Sequence, residues 1–192
     1  DRGVYPDWET SFRYAVFNVV SVATTTGYAS TDYNQWPTFA PILMLFLCGF
    51  ATCAGSTGGG IKMIRGLVLL KQARREMSRI VHPRAVNPIV IGEQVIENKV
   101  IFAVLAFMLV YGAALTSLTF LLMLLGLDAI TAFTAIVACL NNTGPGLNVV
   151  GPAANYGTLS PLEIWTCTFA MLIGRLELFT VLVLLTPMFW RR

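Results

Sequence analysis

Two short stretches carry the residue types best suited to chemistry, Thr24-Thr25-Thr26-Gly27-Tyr28 and Asn142-Thr143-Gly144-Pro145-Gly146. A dehydrated potassium ion must exchange its water shell for several oxygens. An extended strand containing Gly can aim successive carbonyls at one axis to supply them. Each stretch follows an apolar run shorter than the roughly 20 residues a membrane crossing needs, so each run reads as a half-helix that dips into a bilayer and turns back. The C-terminal, partly negative end of such a helix points at the same place as the carbonyls. A single Gly turn after a surface helix would be ordinary. Two, each after an under-length apolar helix, favour a cation filter.

Two other features could act on such a filter. The run Gly55-Ser56-Thr57-Gly58-Gly59-Gly60 interrupts an apolar helix. It is not a phosphate loop, because Ile61 separates Gly60 from Lys62 and Met63 follows, whereas that motif needs Gly-Lys-Ser/Thr after a strand. It is either a passive kink or a mobile intramembrane loop whose polar backbone meets water. Arg175 and Glu177 lie within the last apolar stretch, where a charge costs about 2.5 to 3.5 kcal/mol and requires a partner. They are two residues apart and so do not share a helix face. Arg175 is expected to reach the broken segment Gly55 to Gly60, as a gate or as a structural tie. Ser56 and His82, the lone histidine, could suggest an intramembrane serine hydrolase, but His82 sits in a charged segment away from Ser56. A broken-helix carrier of a small solute is a further alternative.

The elements that must position these residues are helical and membrane-embedded. The chain is 56% hydrophobic and 12% charged, against about 25% charged in soluble domains. Lys62, Arg65, Lys71, Arg74, Arg75, Arg79, Arg84 and Lys99 fall in one hydrophilic interval, which the excess of basic residues places in the cytoplasm rather than on nucleic acid. Asp1, Asp7, Glu9, Asp32 and Glu163 fall on the opposite side, giving an acidic mouth. The pattern predicts helices over 9–23, 41–54, 61–80, 100–127, 129–140 and 161–190, with Asp128 capping the fifth and Pro161 opening the last. Cys48, Cys53, Cys139 and Cys167 read as small buried hydrophobes. The chain opens at Asp1 with no initiator Met and is expected to be an excerpt of a longer protein.

The order of elements repeats. Gly27 pairs with Gly144, and Leu47-Cys48-Gly49 with Leu172-Ile173-Gly174, giving a unit of outer helix, pore helix, filter strand and inner helix. The expected fold is therefore an all-α membrane protein with two such units and re-entrant pore loops. Residues 1–84 form the first unit, without its outer helix. Residues 85–192 form a complete second unit. Two units make half of a pore.

These motifs, together with Cys53-Ala54-Gly55-Ser56-Thr57-Gly58-Gly59-Gly60-Ile61-Lys62 and Gly174-Arg175-Leu176-Glu177, resemble the C-terminal half of the TrkH/KtrB family of bacterial potassium transporters. The resemblance runs through the whole chain in order and spacing. It implies four repeats around one pore, of which this chain holds a truncated third and the fourth. It implies a filter lined by Thr25, Thr26, Gly27 and Tyr28 and by Asn142, Thr143, Gly144 and Pro145. Potassium would be held at Thr25, Thr26, Gly27, Asn142, Thr143 and Gly144. Gly at both filter positions fits the potassium type. Gly55, Ser56, Thr57, Gly58, Gly59 and Gly60 would form the gate below, with Arg175. The resemblance further implies a multi-pass protein of the bacterial inner membrane, in contact with lipid and paired as a homodimer. Its other implied partners are the N-terminal half of the same pore and a cytoplasmic ring of nucleotide-binding subunits that the basic segment could contact. Potassium would be transported substrate, with no cofactor in this chain and no enzymatic activity.

Overall fold

Helix α1 (Trp8–Ala23) begins after Asp7 with Glu9 in its first turn, where negative charge suits the helix dipole. A polar loop with a short turn at Tyr33–Gln35 leads into α2 (Phe39–Phe50). The computed structural model describes residues 4–53, 55, 59–84, 87–176, 183 and 187–190. Helix α2 stops at Phe50, short of the expected Ala54. The chain makes an excursion there and comes back at Gly59. Ile61 N–H then donates to the Gly49 carbonyl at 2.9 Å, and Met63 N–H to the Thr52 carbonyl at 3.0 Å. Carbonyls at the end of a helix have no partner within it, and that of Gly49 finds its partner across the break. The Thr52 hydroxyl closes the neck of the excursion by donating to the Gly59 carbonyl at 3.3 Å.

Helix α3 (Met63–Val81) carries the basic interval. Its cations are used locally. The Lys71 ammonium donates to the Val90 carbonyl, both terminal nitrogens of Arg75 donate to Asn98 Oδ1 at 3.1 Å, and the Arg65 guanidinium lies 4.0 Å from the centre of the Phe107 ring. Between α3 and α4 the chain forms a hairpin, Val90–Ile91 against Gln94–Val95, with Gly92 at φ +63° in its turn. The sequence pattern indicates only a connection there.

Helix α4 (Asn98–Leu124) has 27 residues, about 40 Å at 1.5 Å per residue. Only 22% of its most apolar window is buried within the protein, and Phe102, Leu109, Phe120 and Leu124 point outward. A helix apolar all round belongs in a core or in lipid. This one lies mostly outside the core of the described residues. Among the described residues it alone is long and apolar enough to cross a membrane, while α2 and α5 are shorter apolar helices.

Helix α5 (Ala129–Leu140) is the centre of the packing, set between α4, α6 and α2. Asp128 caps it, accepting from Thr131 N–H at 3.1 Å. Ala132, Ala135 and Ala138 are fully buried, and small side chains let neighbouring helices approach closely without a hydrophobic driving force from lipid.

Helix α6 (Pro161–Arg175) opens with Ser160 N–H donating to Glu163 Oε2 at 2.6 Å. Glu163 is therefore buried as a capping group and not displayed in an acidic mouth. The expectation of one helix to Trp190 is corrected. Helix α6 ends at Arg175, and Leu176 leaves helical geometry at φ −87°, ψ 15°. Pro187–Trp190 is helical. Gly174 is a weak helix former pressed against the end of α5, and the helix stops one residue later. Arg175 is thus terminal rather than midway along a helix, and Glu177 lies outside the described residues. Cys48, Cys139 and Cys167 are buried as expected, whereas Cys53 is exposed at the mouth of the excursion.

Candidate functional site: paired Thr-Gly strands

Helices α1 and α5 end by the same device. Thr24, Thr25 and Thr26 N–H groups donate back to the carbonyls of Val20, Val22 and Ser21 at 2.9, 3.0 and 2.9 Å. The same three bonds recur 117 residues on, from Asn141, Asn142 and Thr143 to Val137, Cys139 and Ala138 at 3.1, 3.0 and 2.9 Å. This is a Schellman closure, which needs one residue in left-handed backbone. That residue is Thr25 at φ 56° in one turn and Asn142 at φ 55° in the other. Two residues on, Gly27 and Gly144 take φ +81° and +105°. With three consecutive N–H groups turned back into the helix, the carbonyls of the same trans peptides, those of Ala23, Thr24 and Thr25 and of Leu140, Asn141 and Asn142, point away from it.

Each strand is then pinned by a buried polar side chain of its own helix. Asn18 Oδ1 accepts from Ser30 N–H at 3.2 Å, and Asn18 Nδ2 donates to Ser30 Oγ at 3.0 Å and to the Tyr14 carbonyl at 2.8 Å. In the second strand Thr134 Oγ1 accepts from Leu147 N–H at 3.1 Å. Ser30 and Leu147 are again 117 residues apart. Asn18 and Thr134 do not stand out in the sequence as site residues. The signal that could have found them is a polar residue on an apolar helix too short to span, where it must turn to the protein.

The two strands meet. A Cβ added to Gly27 would overlap the Thr143 carbonyl oxygen and come within 3.5 Å of Pro145 Cδ. Thr26, Tyr28 and Gly144 are exposed, Thr25, Gly27, Asn142 and Pro145 are half-buried, and Thr143 is buried. Asn142 Nδ2 donates to the Met171 carbonyl of α6 at 3.3 Å, and the Tyr156 hydroxyl donates to the Gly144 carbonyl at 2.8 Å. Outside the strands, Asn34 Oδ1 accepts from Asn148 N–H at 3.3 Å and ties the two outer loops together.

Beneath the second strand, Asn141 is a buried junction. Its Oδ1 accepts from the Tyr111 hydroxyl at 3.2 Å, and its Nδ2 donates to the Val137 carbonyl at 2.9 Å and to Cys48 Sγ at 3.4 Å. The returning end of the excursion passes directly against it. A Cβ on Gly60 would overlap Asn141 Oδ1, and one on Gly59 would lie 2.8 Å from the Leu140 carbonyl oxygen. A Cβ on Gly174 would overlap that same Leu140 oxygen. Gly59 and the end of α6 at Arg175 are therefore neighbours. Of the other residues expected to gate, Gly55 is exposed, and Ser56, Thr57 and Gly58 lie outside the described residues.

Comparison with known proteins bears on what this arrangement serves. Residues 5–192 match the family model TrkH, described as a cation transport protein. The chain is 43% identical over 190 residues to the Trk system potassium uptake protein TrkH of Salmonella typhimurium, covering 99% of this chain and 39% of that one. It is 40% identical to the Trk system potassium uptake protein TrkI of Halomonas elongata, covering 95% of this chain and 37% of that one. The crystal structure of the potassium transporter TrkH from Vibrio parahaemolyticus superposes with a TM-score of 0.89 at 43% identity, covering 97% of this chain and 40% of that one. The chain spans about two fifths of the length of these relatives.

Proposed function

The chain belongs to the TrkH family of cation transport proteins, and on that premise we propose that it forms one half of a membrane pore for potassium uptake, with the two Thr-Gly strands as half of its selectivity filter. The family is one of transporters, not enzymes, which removes the hydrolase built on Ser56. Potassium is what the named relatives take up, and it enters this reading as substrate rather than cofactor.

The observation that carries the filter is the matched geometry of two adjacent strands. The same capping bonds, the same left-handed residues and the same pinned N–H recur at a constant offset of 117 residues. In this reading residues 1–84 and 85–192 are two pore units, and α1 and α5 are re-entrant pore helices. Thr25, Thr26, Gly27 and Tyr28 and Asn142, Thr143, Gly144 and Pro145 line the path. A potassium ion entering from outside sheds water onto the carbonyls of Thr25, Thr26, Gly27, Asn142, Thr143 and Gly144, while the helix ends behind them add partial negative charge. The strands hold their spacing because Asn18 and Thr134 fix them from behind, so the oxygens do not collapse onto a smaller ion at no cost. A carrier that rocks around a small solute has less in its favour, since each strand is tied to the helix that precedes it.

The gate is the segment Gly55 to Gly60, with Arg175 restraining it. Support comes from the junction below the filter, where Gly59 and Gly174 abut one carbonyl. The basic face of α3 lies in the cytoplasm, in the inner membrane of a bacterium, where a ring of nucleotide-binding subunits would contact it. The remaining partners are lipid along α4, a second copy of the protein, and the N-terminal half of the same pore.

The test uses the full-length transporter in cells stripped of their own potassium uptake. Gly27→Ser and Gly144→Ser should each lower the potassium-to-sodium uptake ratio, because Gly permits backbone that Ser resists. Unchanged ratios in both, at normal folded amounts, would remove these turns from the filter.

A further inference from the structure

The two strands are not treated alike on their outer side. The pairing of the units has an offset of 117 residues at the filter and 125 at Gly49 and Gly174, so the second loop is longer by eight residues. That longer loop folds back over its own strand. Its short turn Tyr156–Thr158 brings the Tyr156 hydroxyl to 2.8 Å from the Gly144 carbonyl oxygen, as a donor. The ring packs into the core around α5 and α6, and Cys139 in the last turn of α5 approaches the same hydroxyl at 3.9 Å. Burial pushes the phenol up from its ordinary ionisation range.

We propose that Tyr156 is a specificity-determining positioning residue of the cation path, fixing the direction of the Gly144 carbonyl and occupying one of its lone pairs. This rests on the reading of Gly144 as a filter residue. A carbonyl has two lone pairs. With one taken by the phenol, Gly144 offers a passing cation one oriented acceptor in place of a freely turning group with two. The peptide is otherwise easily turned, because glycine at φ +105° has little to hold it in one conformation. A fixed, partly engaged oxygen favours the larger, more weakly hydrated cation, since it cannot close around a smaller one. The asymmetry gives the second strand a control set by its own loop.

The experiment is Tyr156→Phe in the full-length transporter, with Tyr156→Leu and Gly144→Ser in parallel. Potassium and sodium uptake per folded protein and thermal stability in detergent are read for each. Phe keeps the packing and removes only the donor. The expected result is a potassium-to-sodium ratio lowered by about threefold, within what one neutral hydrogen bond controls, with folded amount close to wild type. Tyr156→Leu should lower the ratio as well and also lose stability. If Gly144→Ser moves the ratio while Tyr156→Phe leaves it unchanged, the filter reading stands and the role of Tyr156 is overturned. That role is likewise overturned if only Tyr156→Leu moves the ratio, because the ring and not the hydroxyl then matters. If Gly27→Ser, Gly144→Ser and Tyr156→Phe all leave it unchanged, both readings fall.

Discussion

Gly27 stands with its Cα face against the carbonyl oxygen of Thr143, so closely that a methyl group there would overlap that oxygen. The two residues are 116 positions apart in sequence and belong to different Thr-Gly strands. The contact joins the strands directly, backbone to backbone, with no side chain between them. A displacement of either strand at this point is therefore felt by the other.

The glycines of the two strands should not tolerate alanine equally. At Gly27 a Cβ meets both the left-handed backbone at φ +81° and the Thr143 carbonyl. At Gly144, at φ +105°, it meets no described atom within 4 Å. Left-handed backbone costs an L-residue about 1–2 kcal/mol in either place, and only Gly27→Ala must also move its neighbour. Thermal unfolding of the full-length protein in detergent should show Gly27→Ala the less stable by at least about 1 kcal/mol. Equal losses would mean that the strands separate freely.

Removing the pins should loosen the strands before it unfolds the protein. Thr134→Val keeps the shape and leaves Leu147 N–H without its acceptor, a loss of about 1–3 kcal/mol for a buried group. Asn18→Leu removes three hydrogen bonds from a fully buried side chain and should cost more. Both variants are expected to lower the potassium-to-sodium ratio of the protein that does fold. Ratios equal to wild type would make the pins purely structural.

Local signals account for what the sequence disclosed. Helix α5 runs over Ala129–Leu140, as expected, because Asp128 caps it and Asn141-Asn142-Thr143-Gly144 closes it. Helices α2 and α6 end earlier than expected because apolar residues continue past both ends, and hydropathy alone does not mark where helical geometry stops. The hairpin at Val90–Val95 was hidden in a short stretch between Pro88 and α4. In the candidate site, the Thr-Gly stretches stood out by type and spacing. Their supports did not. Asn18 and Thr134 act through strands twelve and thirteen residues on, and Tyr156 acts through the path of a loop. Such partnerships depend on tertiary closeness that periodicity does not encode.

Orientation can be read with an impermeant thiol reagent on intact cells. Cys53 is exposed and is replaced first by Ser. Cysteines introduced at Arg74 or Arg79, both exposed on α3, should then be shielded, because basic segments stay in the cytoplasm. A cysteine at Asn155, exposed in the outer loop, should react. The reverse pattern would invert the topology.

The proposed gate makes a prediction separable from the filter. Gly59 and Gly174 abut the same Leu140 carbonyl, so the backbone at the end of α6, one residue before Arg175, lies beside the returning limb of the broken segment. Thr52 holds the neck of that segment through its 3.3 Å bond to the Gly59 carbonyl. A conformational equilibrium moves only by what its two states bind differently. A hydrogen bond to a charged group is worth about 1.5–3 kcal/mol and a neutral one about 0.5–1.5. Arg175→Ala should therefore raise potassium flux per folded protein about tenfold or more, and Thr52→Val by a smaller factor. Neither should change the potassium-to-sodium ratio, since the proposed restraint acts on the broken segment and not on the strands. A structural tie predicts the opposite signature, with less folded protein and no gain in flux. Flux at or below wild type in both variants, normalised to folded protein, would leave the broken segment as a kink and not a gate.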